Sequence, residues 1–340
     1  MTAVPRDADE LSDQLSEHMN GFLYTAALGV IIRAEIADRL VDGPRTPDEL
    51  GDQAGLSGPH LGRLLRYLAT RGVFAEDEHG RFGLTPMAQL LRADVPGSLR
   101  DSFVMLNQDL YWKPMADLYK TVRSGHTAFD DLFGGQQFFP YLQSDPERAA
   151  IFNAGTAGFT RRWIDAVVDA YEFPPGSTVV DVGGGTGSLL RAVLAGNREL
   201  TGVLYDQASV LDEHGLDRPE VEGRWRVQAG DFFTSVPAGH DYYLLKSVLH
   251  DWSDEDCLRI LSSVHAAMRP GATLLVVDPV IPPGNEPHPS KTIDAMMMVI
   301  HDGRERTRAE FEEILTKAEF VVQRVIPTTA LLSIVECKVA

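Results

Sequence analysis

The stretch Thr178-Val179-Val180-Asp181-Val182-Gly183-Gly184-Gly185-Thr186-Gly187-Ser188-Leu189-Leu190 decides the fold. Its first five residues form the short apolar, β-branched run of a buried strand. Glycines at 183, 185 and 187 follow, and Ser188, Leu189, Leu190, Ala192, Val193 and Leu194 then fall at helical spacing. A strand, a glycine turn and a helix start make a ligand-binding corner. Residues without Cβ let the chain turn sharply and let a ligand touch backbone, while the helix N-terminus aims free N–H groups at it. Nicotinamide dinucleotides use a similar corner, but with Gly-x-Gly-x-x-Gly spacing; here the spacing is Gly-x-Gly-x-Gly.

Downstream, Leu200 to Tyr205 reads as a second strand closed by Asp206 and followed by Gln207. A carboxylate there accepts hydrogen bonds from ribose hydroxyls. A third strand, Trp225 to Gln228, leads into Gly230-Asp231-Phe232-Phe233. Asp231 can accept from an adenine amino group and Phe232 can cover the ring. Asp241 to Val248 reads as a fourth strand, apolar except for Lys246 and Ser247. A buried lysine is costly unless it is paired or lies near a strand end. His250-Asp251-Trp252 comes at the carboxyl end of that strand, where open α/β sheets bind ligands. Ala272 to Val277 is a fifth strand ending in Asp278; His301, Asp302 and Glu305 lie in a turn before a helix starting at Thr307. Phe320 to Ile326 and Leu331 to Cys337 form a closing antiparallel pair. His250, Asp251 and His301 lack the close ligand spacing of a metal site, so no metal is expected.

Upstream, residues 101–170 are helical in pattern and rich in aromatics, among them Phe103, Tyr111, Trp112, Phe129, Phe138, Phe139, Phe152, Phe159 and Trp163. Next to a cofactor domain the set predicts a pocket for a flat apolar ligand. Met105, Asn107, Trp112 and Phe152 are its candidate lining, with Asp251, Met297 and His301 from the other side. Before them, Leu11 to Leu40 reads as helical. Thr46-Pro47-Asp48-Glu49 is a capping-box helix start, a third helix runs from Ser57, and a hairpin turns at Asp77–Gly80. Three helices and a hairpin predict a winged helix over residues 1–100. That shape often reads DNA, but this segment has ten arginines and no lysine against fifteen acidic residues, a net of −5. DNA readers are basic on the docking face, so a dimerisation module is the expectation and nucleic acid is not.

The whole chain has 340 residues, 44% of them apolar, and a formal charge of −18, which repels nucleic acid and anionic membranes. No apolar run reaches the roughly 20 residues of a membrane span, and the polar, acidic Met1–Glu10 leads to the expectation of no signal peptide. Two cysteines exclude a disulfide framework; a cytoplasmic protein is expected.

Val-Asp-Val-Gly-Gly-Gly-Thr-Gly, Gly-Asp-Phe-Phe, Leu-Lys-Ser-Val-Leu-His-Asp-Trp-Ser-Asp-Glu and Gly-Arg-Glu-Arg-Thr occur in that order. Together they resemble the S-adenosylmethionine-dependent small-molecule O-methyltransferases, both the plant caffeic-acid type and the bacterial enzymes of aromatic natural-product and antibiotic biosynthesis. The resemblance covers nearly the whole chain. It implies an α/β fold: a Rossmann-like class I methyltransferase domain, its seven-stranded sheet ending in an antiparallel strand, over residues 171–340. A helical substrate-pocket region (101–170) and an N-terminal winged-helix domain (1–100) that pairs two copies would precede it. S-adenosylmethionine would lie on Asp181, Gly183, Gly185, Asp206, Gln207, Gly230, Asp231, Phe232, Lys246 and Ser247. His250 matches the family's catalytic base, and Asp278 and Glu305 match two carboxylates that flank it. Either of these is a candidate partner for the far ring nitrogen. Two departures bear on substrate: plant members often carry Glu at the position of Asp278, and Met at that of Thr156. The expected reaction is methylation of a phenolic hydroxyl on a small aromatic. Ring C- or N-methylation is the alternative; a nicotinamide oxidoreductase and a winged-helix regulator are further rivals.

Overall fold

The computed structural model describes residues 8–340 apart from Glu213. The polar start at 1–7 and the Phe159 side chain lie outside the described residues. The chain divides into two units: Met1–Trp112 with Asp145–Phe159, and Lys113–Ser144 with Thr160–Ala340.

In the first unit the helical run expected over Leu11–Leu40 is broken twice, into Ala8–Met19, Gly21–Arg33 and Ile36–Arg39. At the first break the Asn20 side chain donates to the Ser16 carbonyl and so satisfies a helix-end acceptor. At the second, Glu35 adopts a left-handed conformation (φ 53°), which no helix continues through. Both are local hydrogen-bond and backbone events that apolar periodicity does not register. The helix Pro47–Ala54 starts on the capping box read in the sequence: Glu49 N–H donates to Thr46 Oγ1, and Thr46 N–H donates to Glu49 Oε2 at 2.7 Å. Helix Gly58–Ala69 follows, then strands β1 (Phe74–Glu76) and β2 (Phe82–Leu84), an antiparallel hairpin. Its tip is closed by Asp77, which accepts from the His79 and Arg81 amides. Ile31, Ile36, Leu50, Leu65, Leu68, Phe74 and Phe82 form the core of this winged helix. Each such side chain, fully buried, stabilises the unit by about 1.5–3 kcal/mol.

The second unit is built on a sheet of β3 (Thr178–Val182), β4 (Thr201–Asp206), β5 (Trp225–Ala229), β6 (Tyr242–Lys246), β7 (Thr273–Ile281), β8 (Arg306–Thr307), β9 (Phe320–Pro327) and β10 (Leu332–Val339). The order is β5-β4-β3-β6-β7-β10-β9, and the two-residue β8 pairs with β7. β10 alone runs antiparallel, slotted between β7 and β9. Two apolar layers cover the sheet, one around Val180, Val182, Leu245, Ile260 and Phe311, the other around Val179, Leu190, Leu204, Leu244 and Leu275. Burial on both faces explains why β3, apart from Asp181, reads as an apolar run rather than an alternating one. The five strands β3 to β7 all present their carboxyl ends to one edge.

β7 differs from its expected extent. It does not stop at Asp278 but continues to Ile281, because Val280 and Ile281 pair with Arg306 and Thr307 of β8. Asp278 therefore lies inside a strand, opposite Ser333 of β10. This pairing also brings Glu305, the residue before β8, up to the same edge.

Candidate active site

At the head of β3 the three spaced glycines all have left-handed backbones, with φ of 66°, 60° and 76° at Gly183, Gly185 and Gly187. A Cβ at Gly183 would press on Val248 and Phe232, whereas one at Gly185 would project into open space. The turn thus leaves room beside Gly185 for a ligand to approach the backbone. Asp206, at the end of β4, accepts from the Gly185 amide at 2.8 Å and from the Gln207 amide at 2.7 Å, which ties the second strand to the glycine turn. Burial raises its pKa, against those two amide bonds. Gly230 lies against Tyr205, whose ring any side chain there would overlap. Asp231 is exposed and caps its own loop by accepting from the Phe233 amide, while Phe232 packs edge-on against Phe233.

Asp181 is fully buried and neither of its carboxylate oxygens has a hydrogen-bond partner. Burial pushes its pKa up to about 6, with the Lys246 charge opposing. Lys246, at the end of β6, has its own pKa lowered by burial, against the charges of Asp181, Asp278 and Asp251. An unsatisfied carboxylate pair of oxygens beneath a glycine turn, with Asp206 at the neighbouring strand end, suits a ligand bearing a cationic head and ribose hydroxyls.

Beyond Lys246 the chain turns abruptly. Ser247 is left-handed (φ 52°), an uncommon conformation for a residue with a side chain, and a short 3₁₀ turn spans Leu249–Asp251. This turn carries His250. Its Nδ1 lies 3.0 Å from Glu305 Oε1, and its Nε2 lies 3.4 Å from Asp251 Oδ1. Asp278, the other candidate for the far ring nitrogen, has both oxygens buried without a hydrogen-bond partner. It acts on the ring as a charge only. Burial lowers the pKa of His250, but Asp251, the Glu305 hydrogen bond and Asp278 together outweigh it and carry the ring up to about 10. For Asp278 itself burial wins over the His250 charge, and its carboxyl rises to about 6.

Two positioning features were not read from the sequence. Arg306, only 1% exposed, donates to the Leu249 and Trp252 carbonyls and to Asp254, and so clamps the turn that carries His250. Asp294 accepts from the Glu305 amide at 3.0 Å. A charged residue within Gly-Arg-Glu-Arg-Thr was the one available signal for the first; nothing marked the second.

Phe139 stacks at 6.1 Å on Trp252 and at 6.0 Å on His301. Phe129, Phe133, Phe138 and Tyr141 pack on one another, Phe138 also reaching His301, and Phe129 is fully buried core. Met297 is buried on the helix Pro289–Ile300. Met105, Asn107, Trp112 and Phe152 belong to the first unit, where Met105 is buried and Asn107 Nδ2 donates to the Phe103 carbonyl. Among the described residues no group of three or more His, Cys, Asp or Glu is arranged to hold a metal, and no helix is long and apolar enough to cross a membrane.

The model of the O-methyltransferase domain matches residues 112–321, the segment that carries the glycine turn, His250 and Glu305. The chain belongs to the O-methyltransferase family. A model of the O-methyltransferase dimerisation domain matches residues 16–94, so the winged helix of this O-methyltransferase is that module. The chain is 40% identical over 330 residues to phenazine O-methyltransferase PhzM of Lysobacter antibioticus, covering 96% of each. It superposes with a TM-score of 0.88 and 38% identity on CalO1, a methyltransferase of calicheamicin biosynthesis solved with S-adenosylhomocysteine, covering 99% of this chain and 100% of that one. It also superposes on NcsB1, an O-methyltransferase of neocarzinostatin biosynthesis solved with S-adenosylmethionine and 2-hydroxy-5-methyl naphthoic acid. There the TM-score is 0.80 at 30% identity, over 93% and 96% of the two chains. This O-methyltransferase is an enzyme that uses S-adenosylmethionine, and the open flank of Gly185, the unpartnered Asp181 and the strand-end Asp206 fit that donor.

Proposed function

We propose that this enzyme methylates a phenolic hydroxyl of a small aromatic natural-product intermediate, with His250 as general base. The observation that carries the reading is the His250 Nδ1 contact to Glu305 at 3.0 Å, which occupies that nitrogen and makes Nε2, approached by Asp251 Oδ1 to 3.4 Å, the one that would serve the acceptor. A phenol has a pKa of about 10 and is a weak nucleophile until its proton is drawn off. Neutral His250 Nε2 takes that proton as the oxygen attacks, and Glu305 stabilises the imidazolium that results. Bound S-adenosylmethionine supplies an electrophilic sulfonium methyl. The chain's part is then alignment, by the glycine turn, Asp206 and Lys246 on one side and the base on the other, and orientation of this kind contributes about 7–11 kcal/mol.

The aromatic class is supported by the shelf of Phe139, Trp252 and His301, and by the naphthoic acid bound in NcsB1. A homodimer is supported by the dimerisation module and by exposed Leu15, Met19 and Phe22 on consecutive helices of it. The free thiols of Cys257 and Cys337 agree with a reducing, cytoplasmic setting. A panel of phenolic acceptors assayed with methyl-labelled cofactor tests the function. His250→Ala should lower turnover by roughly 10²–10⁴ and leave S-adenosylhomocysteine binding intact. Wild-type turnover in that variant refutes the base.

A further inference from the structure

One carboxylate oxygen in the site faces two imidazoles. Asp251 Oδ1 is 3.4 Å from His250 Nε2 and 3.8 Å from His301 Nε2. The proton on His301 has a definite place. Its Nδ1 accepts from the Gly303 amide at 3.1 Å, so in the neutral ring the N–H is on Nε2, aimed at Asp251. The ring itself packs against Phe138 and Phe139, at centroid distances of 6.1 and 6.0 Å. The backbone is held as well: a Cβ on Gly303 would run into the His250 carbonyl and the Asp251 backbone, so only glycine lets the 301–305 turn press this closely on the base.

This matters because Asp251 stands on the nitrogen that the base reading requires to be free. We propose that His301 is a positioning residue for the base: its Nε2–H draws the Asp251 carboxylate off His250 Nε2, opening that nitrogen to the acceptor hydroxyl. The inference rests on His250 as base and adds a role that neither the motif nor the flanking carboxylates assign. His301 suits it by being neutral, since burial lowers its pKa against the pull of Asp251. It can therefore donate without adding a cation beside His250. The charged groups around the pair come from four places: Asp251 on the shared turn, Glu305 before β8, Asp278 from β7 and Lys246 at the end of β6. Asp302 follows His301 and faces Asp130. Of the carboxylates, only Asp251 has a second imidazole to move to.

The test is a set of full-length variants, His301→Phe, His301→Gln, Asp251→Asn and His301→Phe with Asp251→Asn. Each is read by the pH profile of kcat/KM and by NMR titration of the His250 ring, labelled with ¹³C-histidine, in the S-adenosylhomocysteine complex. His301→Phe keeps a ring against Phe138 and Phe139 but has no donor. It should raise the His250 pKa by about one unit and lower kcat/KM at pH 7 about tenfold. His301→Gln, which carries an N–H, should restore most of both. In the Asp251→Asn background His301→Phe should change neither. A His250 titration unmoved by His301→Phe, or moved as much without Asp251 as with it, overturns the proposal. Should His250→Ala keep full turnover, the base reading fails, yet the NMR titration still decides whether His301 acts on His250 through Asp251.

Discussion

His250 Nδ1 and Glu305 Oε1 are 3.0 Å apart although 55 residues separate them, and the Glu305 side chain is wholly buried. Glu305 reaches the ring because β8 pairs with the far end of β7 and because Asp294 holds its amide. A carboxylate on Nδ1 determines which nitrogen is left for chemistry. Glu305→Gln keeps the shape and removes the charge. It should lower kcat by about ten- to a hundredfold, the worth of a charge-assisted hydrogen bond at roughly 1.5–3 kcal/mol. Calorimetry with S-adenosylhomocysteine should show cofactor affinity little changed; a matching loss there would mean that the site itself had collapsed.

The His250 pKa of about 10 makes activity and stability move in opposite directions with pH. A base must be deprotonated, so kcat/KM should climb about tenfold per unit through the neutral range toward pH 10. The folded ring binds its proton more tightly than the unfolded one, whose pKa is about 6.5. Its stabilisation is therefore full below pH 6.5 and is lost as pH rises through 10. A profile already flat by pH 7 contradicts the carboxylate cage around the ring.

Asp181 makes the same kind of argument for a carboxyl. Its folded pKa, about 6, exceeds the usual 3.8, so the stability tied to its proton is full below 3.8 and lost as pH rises through 6. Wild type should lose about 2 kcal/mol relative to Asp181→Asn between pH 4 and pH 7. Urea unfolding at the two pH values measures this difference, and equal differences would show that the folded carboxyl keeps its ordinary pKa.

Arg306 should prove indispensable to the His250 turn. Arg306→Met leaves the Leu249 and Trp252 carbonyls without their donor and should cost roughly 3 kcal/mol. Arg306→Lys should not rescue it, because one ammonium cannot span acceptors placed for a planar fork. Thermal unfolding of both variants, with turnover measured below their midpoints, checks this.

Gly185→Ala separates folding from cofactor binding. The new methyl group meets no neighbour, so the cost is the strain of a left-handed alanine, about 1–2 kcal/mol. It should, however, fill the space offered to the donor and abolish the thermal shift given by S-adenosylhomocysteine. A variant that still shows the full shift would move the donor away from this turn.

Local chemistry made much of this protein readable. The glycine corner at 183–187, the capping box at Thr46, the helix start at Thr307 and the hairpin tip at Asp77 all depend on neighbours within four residues, so they survive in one dimension. The apolar run of β3 likewise announces burial on both faces by itself. The order of four motifs was enough to point to the O-methyltransferases. Which carboxylate serves His250 was not readable, because Asp278 and Glu305 are equal candidates until β8 pairs with β7 and brings only Glu305 into hydrogen-bond reach. Aromatic side chains also look alike along the chain. Packing alone separates Phe129, which fills the core, from Phe139, which stacks on His301 and Trp252. The sequence by itself determined most of the elements, the glycine corner and His250 as the candidate base. Only the tertiary structure decided the base's partners, Asp251 between two imidazoles among them, because those contacts join segments some fifty residues apart through sheet register and burial, which no local pattern encodes.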